Sequence, residues 1–208
     1  MVNFCLEGRS YMEKTTKQRL MEAAIELFST KGFAGTGVDE IAQHIGLKGP
    51  NLYKYFKGKN DLLDEIFKRA GEEYGQGMSF NVKAMENIHT GKELKSFTLK
   101  RVEFTLNNDM AKNMRRIYTI EQYRNEMFAE MATEHQLDDL TKPHEQIFKR
   151  LIREETMAKG DAKIYALEFV APITLMIQLC DRNPGQKEYA VKMIKKHIDV
   201  FIDKYFIK

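Results

Sequence analysis

Between Glu40 and Asp61 the chain has no acidic side chain, yet it holds Lys48, Lys54, Lys57 and Lys59 together with Asn51 and Tyr53. Ammonium, amide and phenol donors with no carboxylate among them suit phosphate oxygens and the edges of bases. That is recognition chemistry. Bond-breaking chemistry has less to stand on: the histidines at 44, 89, 135, 144 and 197 form no HExxH pair, and no GxSxG, P-loop or GxGxxG occurs. His135, Asp138, Asp139 and His144 come nearest to a metal cluster, but they lie across an expected loop and read as solvated side chains. No enzyme, metal or cofactor is expected. Cys5 and Cys180 are far apart and lack ligand spacing, which excludes a disulfide framework and fits a reducing cytoplasm.

The elements that would position these donors are helices. Proline is scarce, glycine falls at segment ends, and apolar residues recur with helical spacing, so the 208 residues read as an all-α protein of about nine helices. Leu20, Ala23, Ala24, Leu27 and Phe28 share one face of a helix from Thr16 to Lys31, capped by Thr15 or Thr16 and ended by Gly32. Thr36 is suited to cap a second helix carrying Val38, Ile41, Ala42 and Ile45 inward, and Gly46 supplies a turn. A short third helix spans about Gly49 to Phe56, with Pro50 tolerable in its first turn and Leu52 and Phe56 facing the core. A long helix starts near Lys59. Further helices are expected at about 91–107, 110–134, 143–158, 161–182 and 185–206, with Pro172 kinking the fourth of these. Residues 1–14 are expected to be a disordered extension, Met12 being a second plausible start. No apolar run approaches the roughly 20 residues that cross a bilayer, and no signal peptide is apparent. The net charge of +3 is mild, so any attraction for nucleic acid must be concentrated on one surface.

Taken singly, Ile41, Ile45, Leu52 and Phe56 are ordinary core residues. Their register is more specific. Ala23-Ala24-x-x-Leu27-Phe28, Gly32-Phe33, Thr36-x-Val38-x-x-Ile41-Ala42, Gly46-Leu47, Leu52-Tyr53-x-Tyr55-Phe56 and Lys59-x-x-Leu62 fall in order within residues 17–63. This stretch resembles the DNA-binding region of the TetR family of bacterial transcriptional regulators. The resemblance implies a three-helix helix-turn-helix head over residues 15–58, in which Thr36, Tyr53 and Lys59 contact phosphates, helped by Lys54 and Lys57. Lys48, Gly49, Pro50 and Asn51 then lead the recognition helix, where base contacts are expected. Lys48 and Pro50 depart from the usual family pattern, which commonly has a small hydroxyl residue and a glycine or alanine there.

For residues 59–208 the resemblance implies a helical effector-binding and dimerisation domain. The surplus of Phe97, Phe104, Met114, Tyr118, Tyr123, Met127, Phe128 and Met131 marks the expected pocket for a moderately apolar small-molecule effector. The apolar stripes containing Tyr165, Phe169, Ile173, Ile177, Ile194, Ile198 and Phe201 mark the expected homodimer interface. The expected function is ligand-responsive regulation of transcription: a cytoplasmic homodimer, with no membrane contact, that represses from a palindromic double-stranded operator until the effector releases it. The alternative is a small-molecule or protein-binding helical module that has lost sequence-specific DNA binding, supported only by Lys48 and Pro50.

Overall fold

The computed structural model describes residues 14–77 and 82–207; most of the expected N-terminal extension lies outside the described residues. Ten α-helices and no strand occur among the described residues, with a single isolated bridge between Met157 and Phe206. Helix α1, Thr16–Lys31, begins with a capping box in which Thr15 and Gln18 satisfy each other's backbone amides. It ends at Gly32, whose φ of 85° suits a residue without Cβ and whose open face admits the carboxylate of Glu121 from a distant helix. Helix α2 is Val38–His44. The third segment, Gly49–Lys54, is a 3-10 helix, tighter than the α-helix read from the sequence. Helix α3, Lys59–Gly77, leads into the body.

The body comprises α4 (Val82–Glu86), α5 (Gly91–Asn107), α6 (Asp109–Glu121), α7 (Glu126–Thr133), α8 (Asp139–Arg153), α9 (Ala162–Arg182) and α10 (Lys187–Tyr205). The helix expected over 110–134 is two. Asn125 caps α7 through its side chain and breaks the run after Glu121. The loop expected near Pro143 is absent: a π-turn at Glu134–Asp138 joins α7 to α8, and Pro143 lies inside α8. The π-turn ends just before Asp139, the residue whose carbonyl Pro143 leaves without an i→i−4 amide.

Two apolar cores hold the chain. One joins α1, α2 and the 3-10 helix to α3, α6 and α7, with Phe28, Phe56, Ile66, Ile117 and Phe128 nearly inaccessible to solvent. The other joins α5, α8, α9 and α10 around Phe148, Phe169 and Phe201, whose rings pack at 4.8–5.6 Å between centroids. By length and composition α9 could cross a bilayer, a run the sequence reading passed over. It spends Ala166, Phe169, Val170 and Ile173 on this core.

Candidate nucleic-acid interface and its cavity

The 3-10 helix sorts its side chains by a period of three. Gly49 and Leu52 face inward, while Pro50 and Tyr53 stand together on an exposed edge and Asn51 and Lys54 on the next. Gly49 is buried against Asp39, whose carboxylate occupies the space a Cβ would need. It therefore seats the helix by close backbone approach, a fit that any larger residue would disturb. Tyr53 is 61% exposed, and Lys48, Lys54 and Lys57 are also exposed. These donors are therefore accessible along one short segment of the head. Tyr55, at 41% exposed, directly follows this segment; it belongs to the sequence motif but was given no DNA contact there.

Two expected phosphate ligands have other work. Thr36 is 1% exposed, and its hydroxyl donates to the Gly32 carbonyl at 2.8 Å, so it closes the α1–α2 loop. Gly37, not Thr36, precedes the first turn of α2. Lys59 extends its ammonium to the carbonyls of Phe33 and Thr36, at 2.8 and 2.9 Å, and lies 4.4 Å from the centre of the Phe33 ring. It staples α3 to the same loop. In both cases a backbone carbonyl is a fixed acceptor close at hand, and the side chain satisfies it.

The body holds a partly open cavity of about 310 Å³, walled by α3, α5, α6, α7, the π-turn, α8 and α9. Of the eight residues expected to line a pocket, Met114, Tyr118 and Met131 do so. Phe97 and Phe104 on α5 are not in the wall. Tyr123 and Met127 stand outside at 90% and 40% exposure, and Phe128 is packed in the head-side core. The sequence signalled apolar bulk here but not which side of each helix faces inward. Tyr118 has its phenol pushed up to about 12 by burial and by the charges of Glu134 and Asp139, so it stays protonated. His144 is fully buried, and burial holds its imidazole down at about 4, a shift that Arg101 reinforces and a hydrogen bond to Leu140 opposes. Arg115 is engaged by Asp181 through two bonds of 2.7 and 2.8 Å. The His135 and Asp139 side chains pair at 2.8 Å in the wall. Among the described residues no group of three or more His, Cys, Asp or Glu could hold a metal ion.

Sequence reasoning missed the contact that joins cavity to head. Glu121, at the end of α6, is 1% exposed and accepts from the Ala34 amide at 3.3 Å. Tyr118 and Met114, one and two turns earlier on α6, line the cavity. Phe67 and Ala70 on α3 line it too, and α3 starts at Lys59. Both helices that connect cavity to head therefore end on the loop from Gly32 to Thr36. A lone Glu at the end of an amphipathic helix carries no local signal of this, because its partner is 87 residues away.

The residues expected at a dimer interface are mostly enclosed by their own chain. Phe169, Ile173, Ile194, Ile198 and Phe201 are at most 7% exposed, Tyr165 packs on Tyr205 at 4.3 Å, and Ile177 faces the cavity. The broad stripe supplied the core first. What remains exposed is Ile164, Leu167 and Leu175 on α9, with Tyr189, Met193 and Val200 on α10.

Residues 20–66 match the family model described as bacterial regulatory proteins, tetR family. The chain is 37% identical over 87 residues to the uncharacterised HTH-type transcriptional regulator YerO of Bacillus subtilis (strain 168), covering 41% of this chain and 28% of that one. It is 34% identical over 61 residues to the HTH-type transcriptional regulator AcrR of Shigella flexneri, covering 29% of this chain and 28% of that one. These matches thus span less than a third of each relative. In fold, SmeT from Stenotrophomonas maltophilia, in its triclosan complex, superposes with a TM-score of 0.68 at 17% identity, covering 94% of this chain and 93% of that chain.

Proposed function

We propose, from a head whose residues 20–66 match the TetR family model, that the protein is a homodimeric transcriptional regulator released from its operator by a small molecule held in the cavity of its body. The reading takes residues 15–58 as the DNA-binding domain and residues 59–208 as the effector-binding and dimerisation domain, acting in the cytoplasm as a repressor. Lys48, Pro50, Asn51, Tyr53, Lys54 and Lys57 form the DNA-facing edge, with the lysines and Tyr53 on phosphates and Lys48, Pro50 and Asn51 nearest the base edges.

One observation carries the coupling. The cavity touches α3 and α6, and both end on the Gly32–Thr36 loop, through Lys59 and Glu121. A ligand that parts α6 from α3 displaces that loop, and with it the orientation of the head. Such a ligand shifts the population away from the DNA-bound state in proportion to its preference for the displaced one. SmeT, a repressor, has a structure with triclosan, which supports a small-molecule effector here.

The exposed apolar stripe on α9 and α10 is the proposed dimer face. Pairing it across a two-fold axis buries Leu167, Leu175 and Val200 and sets two heads side by side. Their recognition segments must then lie about 34–36 Å, or a multiple of it, apart to enter major grooves on one face of the duplex. Nuclease footprinting on the DNA upstream of the protein's own gene tests the assignment. Two protected half-sites are expected, lost in a folded Lys48→Ala, Lys54→Ala, Lys57→Ala triple variant. Unchanged protection by that variant would show that another surface meets the DNA.

A further inference from the structure

The cavity has two polar ends and an apolar middle. His144 Nδ1 lies 2.6 Å from the Leu140 carbonyl, which can only accept, so Nδ1 carries the proton and Nε2 presents a lone pair. That Nε2 is buried and has no hydrogen-bond partner. At Gln136 the side-chain oxygen accepts from Gln178 at 3.4 Å, while the buried amide nitrogen has no partner. Both residues line the cavity. A buried donor or acceptor left unsatisfied is costly, so each of these groups gains from a ligand atom that completes it.

The two groups are far apart. The π-turn and α8 run antiparallel to α9: the His144 ring packs on Phe169 at 5.2 Å, and Gln136 bonds Gln178. Eight positions of helix separate Gln136 from His144, a span of about 12 Å. Between them Leu140 from one side and Ile173 and Ile177 from the other supply an apolar wall. The His144 end needs a donor, because a neutral imidazole offers only its lone pair, and the other end needs an acceptor, because Gln136 offers N–H.

Charge is handled differently. Arg115 is bound to Asp181, His135 to Asp139, and the Arg101 guanidinium lies over the Phe97 ring. A carboxylate at the His144 end would set its charge against a lone pair. An ammonium would donate there but lose its hydration among Phe148, Phe169 and Val170, with Arg101 adding repulsion.

Resting on the proposal that this cavity is the effector site, we propose that the effector is an uncharged, elongated molecule with a hydroxyl or N–H donor at the His144 end, an apolar middle, and an oxygen acceptor about 12 Å away at Gln136. A fatty carboxylate of the same length completes the Gln136 amide but leaves His144 Nε2 unpaired, and an alkylammonium ion leaves the Gln136 amide unpaired, so a molecule that completes both ends binds more tightly than either ion.

A matched series of eight-carbon probes tests this by calorimetric titration into the full-length protein: octane-1,8-diol, octanoate and octylammonium. The diol is expected to bind at least about tenfold more tightly than either ion. His144→Phe and Gln136→Leu, each checked for folding by circular dichroism, are each expected to weaken the diol by about tenfold, and His144→Phe to leave octanoate nearly unchanged. Equal or tighter binding of octanoate, or diol binding indifferent to both substitutions, would overturn the polar assignment. Thr174→Trp, which fills the cavity from α9, separates the two levels. If it abolishes probe binding while the diol shows no preference, the polar ends are wrong and the cavity stands as the ligand site. If probe binding survives it, or no probe binds at all, both fail.

Discussion

Single residues divide here into those that face a partner and those that hold the chain for them, and sequence register alone does not tell them apart. Thr36 and Tyr53 both matched the resemblance, yet one hydroxyl is bonded to Gly32 and the other projects into solvent. Thr36→Val should therefore lower stability by about 1 kcal/mol in chemical denaturation. Tyr53→Phe should leave stability unchanged and weaken DNA binding. Reversal of the two effects would reverse the assignments. His144 permits a prediction of sign. Its folded value of about 4 lies below the ordinary 6.5, so on acidification the unfolded chain takes up the proton first. Its contribution is fully present above pH 6.5 and is lost as pH falls towards 4, on the order of 3 kcal/mol in total. Stability measured against pH for wild type and His144→Gln should differ in slope across that window, wild type falling more steeply. Parallel curves would show that the imidazole is not held neutral.

At the scale of elements, the helices of the head were legible because their signals are local. Thr15 and Gln18 form the cap, Gly32 ends α1, Gly46 turns with φ of 79°, and Leu52 and Phe56 point inward as their spacing required. The body was less legible. Helical periodicity reports that a face is apolar but not whether its own core, a cavity or a second chain will cover it. Phe169 and Ile198 went to the core, Ile177 went to the cavity, and Leu167 was left exposed. Pro143 suggested a loop, and the π-turn that instead joins α7 to α8 has no sequence marker. The same error hid Gln136 and His144, which a loop would have left in water. Between elements, the α6-to-loop contact is the testable joint. Glu121→Ala removes the acceptor of the Ala34 amide. It should lower stability by about 1–3 kcal/mol and, in the folded fraction, make DNA affinity less responsive to a cavity ligand. A ligand response equal to that of wild type would route the coupling through α3 alone.

For the whole molecule, the account needs two heads held at a fixed distance, and the exposed stripe on α9 and α10 is where that distance is set. Leu167→Glu with Leu175→Glu places charges on exposed positions, so the fold should persist while light scattering reports the monomer mass. A double variant that remains dimeric would place the interface elsewhere. Phe169→Ala is the contrasting change, since it empties the protomer core and should cost about 3–5 kcal/mol. The modest net charge of +3 also matters at this scale. DNA attraction rests on the local lysine face, not on the molecule as a whole, so binding should be steeply salt-dependent and confined to that face. The most direct test is fluorescence anisotropy of a labelled duplex from upstream of the protein's own gene, titrated at several salt concentrations beside a scrambled duplex. The account predicts a preference of at least about 10³ for the native sequence, with the slope against salt reduced in the Lys48, Lys54 and Lys57 alanine variant. Equal affinity for both duplexes, with a slope that the variant leaves unchanged, would contradict it.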